Sequence, residues 1–299
     1  MTDQIMKHCT LCPRNCGVDR TKNTGVCGQT DRVRIARADL HMWEEPCLGG
    51  EGGSGTVFFS GCSLKCCFCQ NYEITAMNKG FEISVRELAD TFLYLQHKGA
   101  QNIDLVSPTH FVPQIVDALD MIGDELRIPV VYNCGGYEST STLKMLGDRV
   151  KIFLPDLKYF DSAISREYSG ASDYFTVAMA AIREMVNIAG KPEFDETGLM
   201  KSGVIVRHLV LPNHRHDSIR LMQELGKAFG KDELLVSIMS QFVPVHKAFE
   251  HQKLSRRTST FEYKSVVDEV CRQGFDGFFQ QRSSASEEFI PAFYDKKYF

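Results

Sequence analysis

Six short apolar runs separated by helical segments occupy the middle of this 299-residue chain. They are "GTVFFSG" (55–61), "NIDLVS" (102–107), "PVVYNC" (129–134), "KIFLPD" (151–156), "GVIVRHLVLP" (203–212) and "ELLVSIM" (233–239). Each is rich in branched and aromatic residues, as strands buried on both faces are. Between the first two lies "SVRELADTFLYLQHKG", where Ser84 and Glu87 make a capping box and Val85, Leu88, Phe92 and Leu95 recur at helical spacing. Helices are also expected over 112–125, after Ser139, over 173–189, over 217–229 and over 261–273. Such alternation predicts a parallel α/β sheet, either a barrel or a doubly wound sheet. Residues 1–54 do not follow the rhythm and read as a Cys- and Gly-rich N-terminal extension. The core is expected over 55–245 and a C-terminal extension over 246–299, with a strand at "GFFQQR". "KPEFDETGLMK" (191–201) reads as a solvated insertion.

Charge narrows the function. With 34 basic and 38 acidic residues the net charge is −4, and no run forms a basic patch suited to nucleic acid. No apolar stretch reaches the roughly 18 residues a membrane span needs. "MTDQIMKHCT" lacks the basic and apolar regions of a secretory signal, so a cytoplasmic setting is expected. Eleven cysteines in a reducing compartment point to metal rather than disulfides.

The cysteines fall into two groups. "GCSLKCCFCQN" (61–71) follows the first expected strand and contains Cys62, Cys66 and Cys69 as C-x3-C-x2-C, with Cys67 inside the frame. A saturated iron–sulfur cube takes four thiolates. Three on one loop leave one iron open to a small chelating cofactor. Structural zinc, which takes four ligands, fits less well, and a chance grouping of buried thiols is the remaining alternative. The second group, Cys9-x2-Cys12-x3-Cys16-x10-Cys27, offers four thiolates and suits zinc or a second [4Fe–4S] cluster, with Cys47 to spare.

C-x3-C-x-aromatic-C after the first strand of an α/β array resembles the radical S-adenosylmethionine (SAM) superfamily. "GSGTVFFSGCSLKCCFCQNYEIT" with "CTLCPRNCGVDR" further resembles the branch related to pyruvate formate-lyase activating enzyme. The resemblance implies a partial (β/α)6 barrel of TIM type with its site at the C-terminal strand ends, where barrel loops carry chemistry. It also implies a [4Fe–4S] cluster on Cys62, Cys66 and Cys69, whose free iron chelates SAM and whose electron cleaves it to a 5′-deoxyadenosyl radical. Phe68 is then expected near the adenine.

Where the superfamily often has Gly-Gly-Glu, this chain has Pro108, Thr109 and His110, so the amino group of SAM is expected on Thr109 or on backbone carbonyls. Turn formation is the alternative for that stretch. Asn133, in "YNCGGY", is expected to face the ribose or carboxylate of SAM, or to be a turn former. Asp156 and Lys158, in "PDLKYF", alternate and can both enter the barrel mouth, serving the SAM carboxylate, a monovalent cation or substrate, or forming a plain salt bridge. Arg207 and Leu209 share one face with His208 opposite, and a charged Arg207 in so apolar a run needs a partner. Met239 and Gln241 are adenine-side candidates by resemblance.

The resemblance implies an electron donor such as flavodoxin or ferredoxin, and hydrogen abstraction from a protein or peptide. A small-molecule or nucleic-acid substrate is the runner-up. A non-catalytic iron–sulfur electron carrier is disfavoured by the missing fourth ligand at 62–69.

Overall fold

The computed structural model describes residues 2–280 and Phe293. In chain order its strands are β1 (Val33–His41), β2 (Ser54–Phe59), β3 (Phe81–Ile83), β4 (Ile103–Val106), β5 (Val130–Cys134), β6 (Ile152–Pro155), β7 (Glu193–Phe194), β8 (Met200–Leu209), β9 (Leu235–Met239) and β10 (Gly277–Phe279). The helices are α1 (Thr2–Lys7), α2 (Pro46–Gly49), α3 (Tyr72–Thr75), α4 (Val85–His97), α5 (Val112–Ile122), α6 (Thr140–Leu146), α7 (Ser162–Ser169), α8 (Tyr174–Ala189), α9 (Arg215–Ala228) and α10 (Thr260–Gln273). Among the described residues, no helix is long and apolar enough to cross a membrane.

The sheet runs β10-β9-β8-β6-β5-β4-β2-β1-β3. It is parallel from β10 to β2, and β1 and β3 close that side antiparallel. The described strands make an open path, with β3 at one edge and β10 at the other, which is a partial barrel. All six expected strands are present. β10 takes the start of "GFFQQR"; Gln281 and Arg282 of that expected strand lie outside the described residues.

The strands' two faces have different chemistry. Val57, Phe59, Ile103, Leu105, Val130, Tyr132, Phe153, Val204, Val206, Val236 and Ile238 pack outward against the helices in one apolar core. The capping box of α4 forms as expected, Glu87 N–H donating to Ser84 Oγ at 3.1 Å and Ser84 N–H to Glu87 Oε2 at 2.8 Å. Burial of Leu88, Phe92 and Leu95 then fixes the helix on the sheet, each such side chain contributing about 1.5–3 kcal/mol of apolar transfer.

The inward face is apolar at one end only. There Val131, Ile152, Leu154 and Ile205 meet Cys47 and Leu48 of α2, so the N-terminal segment plugs the barrel. This departs from the expectation of an extension that merely leads into the first strand. The plug also accounts for Cys47, which is packed among aliphatic side chains. A second difference is β1 itself, an antiparallel strand with a register shift between Ile35 and Arg37 that carries Arg34, Arg37 and Asp39 half-buried. The expected insertion at 191–201 contains β7, which pairs with the start of β8.

Candidate functional site

The C-terminal ends of the parallel strands open on a cleft of about 630 Å³. One wall is the loop after β2. Cys62, Cys66, Phe68 and Cys69 line the cleft, whereas Cys67 turns into the apolar core, its N–H donating to the Tyr168 carbonyl (2.8 Å) and its carbonyl accepting from Lys247 (2.8 Å). The Ser169 hydroxyl donates to Cys66 Sγ at 3.0 Å, and Thr75 Oγ1 lies 3.3 Å from Cys69 Sγ. Burial and the sulfurs beside it push the Cys62 thiol up to about 12. Burial and Cys66 push Cys69 to about 11, against the hydrogen bond from Thr75 and the charge of Lys158. Burial thus favours the neutral thiols here, and a bound cation would be what draws them into the thiolate form. Phe68 is fixed edge-on between Tyr159 and Phe242, with centroids 6.4 and 5.9 Å away.

Opposite stands a polar network built from alternate inward positions of three neighbouring strands. Arg207 donates from Nε to Asp156 Oδ1 (3.1 Å) and from Nη2 to Asn133 Oδ1 (2.5 Å). Lys158 Nζ donates to Asp156 Oδ2 at 2.5 Å. Burial works against the Asp156 carboxylate, but the two cations outweigh it and hold its pKa below the ordinary value. Burial likewise opposes the Lys158 charge, and Asp156 with Cys66 raises its pKa nevertheless.

Sequence reasoning missed the acids that complete this network. Glu44, on the segment between β1 and α2, lies 3.6 Å from Arg207 Nη1, and Glu45 accepts from Ser237 Oγ at 2.8 Å. Asp104, fully buried on β4, accepts from Asn133 Nδ2 at 3.3 Å through Oδ2, while its Oδ1 is buried without a hydrogen-bond partner. Burial, with the Glu44 charge adding to it, holds the Asp104 pKa well above the ordinary range. The sign of Asp104 was available in the sequence, since a carboxylate at an inward position of "NIDLVS" needs a partner; Glu44 and Glu45 lie in the segment that gave no strand or helix signal. Ser107 was also passed over. It lines the cleft in a left-handed conformation, φ 58°, uncommon for serine.

Gln241 lines the cleft beside Met239, its Oε1 accepting from Gln280 at 3.3 Å. Leu209 shares the cleft with Arg207, and His208 turns to the helix side, where its Nδ1 meets the Leu157 carbonyl at 2.7 Å.

Thr109 and His110 are not brought to the cleft. The Thr109 hydroxyl donates to Glu138 Oε1 (2.8 Å), which leaves it committed to a buried carboxyl. His110 Nε2 is 2.7 Å from the Ser60 carbonyl, and burial beside the Arg20 charge lowers its pKa to about 3, so the ring is a neutral part of the packing. The chain turns into a helix immediately after Pro108, and that turn carries both side chains behind the strand end.

Residues 56–220 match the sequence pattern of the Radical SAM superfamily, and the chain belongs to that superfamily. Membership makes it an enzyme family protein and implies a [4Fe–4S] cluster and SAM. The donor set fits such a cluster: three soft sulfurs, one per iron, on the wall of an open cleft. Among curated proteins it is similar to an uncharacterized protein of Methanocaldococcus jannaschii, 27% identical over 284 residues, which cover 91% of this chain and 77% of the relative. Among solved structures it shares its fold with a radical SAM methyltransferase from Sphaerobacter thermophilus (14% identity, TM-score 0.51, covering 76% of this chain and 66% of that one). It also shares it with Streptococcus suis SuiB bound to precursor peptide SuiA (14% identity, TM-score 0.50, 74% of this chain). The matched region spans 46% of SuiB, under half of that protein.

Proposed function

We propose that this chain is a radical SAM enzyme that abstracts hydrogen from a protein or peptide, in the manner of the activating enzymes related to that of pyruvate formate-lyase. The observation that carries the reading is the meeting of Cys62, Cys66 and Cys69 with Asn133, Asp156, Lys158 and Arg207 across one cleft. The three thiolates would hold the [4Fe–4S] cluster and leave one iron facing the opposite wall. Cluster and SAM, when bound, supply one-electron cleavage of a carbon–sulfur bond and a radical at the 5′ carbon of deoxyadenosine.

The residues of the chain do the rest. Lys158 and Arg207 offer positive charge toward the SAM carboxylate, and Asp156 fixes both in place. Asn133 supplies an amide at the same level, and Phe68 an apolar surface for the adenine. Ser107, held at the rim by its left-handed backbone, takes over the amino-group contact first expected of Thr109. Apolar lining from Phe58, Val106, Leu209 and Met239 limits water around the reacting atoms.

Four acids (Glu44, Glu45, Asp104, Asp156) surround two cations in the barrel, an arrangement that disfavours a phosphate backbone, whose recognition depends on Lys and Arg. At the rim, Trp43 and Met42 are 69% and 49% exposed, an apolar ledge suited to a peptide side chain. SuiB, which shares the fold, binds a precursor peptide. The test is isotopic: proteins captured from the native cell are labelled with deuterium and offered to the reduced enzyme with SAM. The reading expects deuterium in 5′-deoxyadenosine from a protein fraction. Transfer only from small metabolites or nucleic acid would overturn the substrate class.

A further inference from the structure

Cys9, Cys12, Cys16 and Cys27 lie outside the cleft, yet the fold brings them together. Cys9, Cys12 and Cys27 are buried and Cys16 is half-buried. Two tight turns and one wider loop wrap the chain around them: Asn15 N–H donates to the Cys12 carbonyl (3.0 Å) and Gly28 N–H to that of Gly25 (2.9 Å), while Gly17 N–H reaches back eight residues to the Cys9 carbonyl (3.0 Å). Asn15, Gly17 and Gly28 hold left-handed backbone, with φ of 41°, 63° and 82°. Those conformations cost an ordinary residue about 1–2 kcal/mol each, so the turns are specified by sequence. A side chain beginning at Gly25 would stand 3.4 Å from Cys27 Sγ and 3.5 Å from Cys16 Sγ; the two sulfurs flank one point. The backbone N–H groups of Val18 and Val26 are aimed at the Cys16 sulfur, the kind of donor that steadies an anionic ligand. Arg20, fully buried, adds a guanidinium near Cys27 while bonding the carbonyls of Gln29, Thr30 and His110.

This pocket of thiols abuts the first cysteine loop. Cys62 N–H donates to the Cys27 carbonyl at 3.3 Å, and Arg14 Nε donates to the Ser63 carbonyl at 2.8 Å. Four cysteines gathered on one short segment make a metal-binding pattern. The choice is between one zinc and a cube. Around zinc four sulfurs converge on a single atom; among the described residues no such convergence is found, either here or at Cys62, Cys66 and Cys69, the set that fits a cube. In a cube each thiolate has its own iron, so the sulfurs stand at separate corners.

We propose that Cys9, Cys12, Cys16 and Cys27 hold a second [4Fe–4S] cluster. With four protein ligands it has no open iron, so it chelates neither SAM nor substrate. Its place, one backbone hydrogen bond from Cys62, makes it a neighbour of the cluster that does.

The full-length triple variant Cys62→Ser, Cys66→Ser, Cys69→Ser tests this independently of catalysis. After anaerobic reconstitution with iron and sulfide it is expected to retain about four irons per chain, and its reduced electron paramagnetic resonance (EPR) signal to be indifferent to SAM. Absence of iron from the triple variant, or one zinc per chain in place of iron, overturns the proposal. The converse variant, Cys9→Ser with Cys12→Ser, guards against misfolding of the first. It is expected to lose about half of the wild-type iron and keep a signal that SAM perturbs. Undiminished iron in that variant contradicts the proposal equally.

Discussion

Arg207 Nε donates to Asp156 Oδ1 at 3.1 Å, joining the inward positions of β8 and β6 across the barrel mouth. Lys158 occupies the other carboxylate oxygen. Asp156 is therefore the anion that keeps two cations in place, and under the proposed function those cations receive the carboxylate of SAM. Replacement by asparagine preserves shape and removes the charge. Losing a hydrogen bond to a charged group costs about 1.5–3 kcal/mol, roughly tenfold to more than a hundredfold in affinity. Asp156→Asn and Asn133→Ala are expected to weaken SAM binding by that factor at unchanged cluster iron, measured by isothermal titration under anaerobic conditions.

Because the Lys158 ammonium is already 2.5 Å from Asp156, it fills the position a bridging potassium would take. SAM cleavage is expected to be independent of potassium at constant ionic strength. A saturable potassium requirement would show that a metal ion, not Lys158, links Asp156 to the cofactor.

Thr109→Val separates packing from cofactor contact. Glu138 loses the donor it accepts from at 2.8 Å, which costs about 1–3 kcal/mol for a buried polar group left short of a partner. Chemical denaturation should show that loss while SAM affinity stays at the wild-type value. A weaker Kd for SAM with unaltered stability would return Thr109 to the binding site.

Burial raises the Glu138 carboxyl from about 4.5 to about 7, although hydrogen bonds from Thr109 and Tyr132 work the other way. Between those values the folded chain keeps a proton that the unfolded chain has lost. Stability from this group therefore falls as pH rises through the window and levels off above it. Glu138→Gln removes the titration, so its denaturation midpoint should decline less than that of the wild type between pH 5 and 8. Parallel curves would contradict the assignment.

Gly136 bears on the same strand end. Its φ is 77°, and a Cβ there would stand 2.1 Å from the Asp156 carbonyl oxygen. The left-handed backbone alone costs alanine about 1–2 kcal/mol, and the clash displaces Asp156. Gly136→Ala should lower both the melting temperature and SAM affinity.

Much of this was legible in the sequence because buried parallel strands are continuous apolar runs, and the helices between them carry their own caps. β1 was not: its half-buried charges break up any apolar run, and its partner β2 is found only through tertiary pairing. The inward set Asn133, Asp156 and Arg207 could be inferred from alternation along strands. Glu44 and Glu45 could not, since they reach the barrel from an irregular segment whose course is fixed by the plug of Cys47 and Leu48. Thr109 and His110 were misplaced for a related reason. A strand-end position predicts an active-site side chain only if the chain stays extended, and here it turns at once into a helix.

The central claim rests on which cysteines face the cleft. Anaerobically reconstituted protein, reduced with dithionite and given SAM, should form 5′-deoxyadenosine and methionine. Cys62→Ala, Cys66→Ala and Cys69→Ala should each abolish the product, whereas Cys67→Ala, whose thiol points into the core, should retain it. Cleavage that survives loss of Cys62, Cys66 or Cys69 would contradict the account.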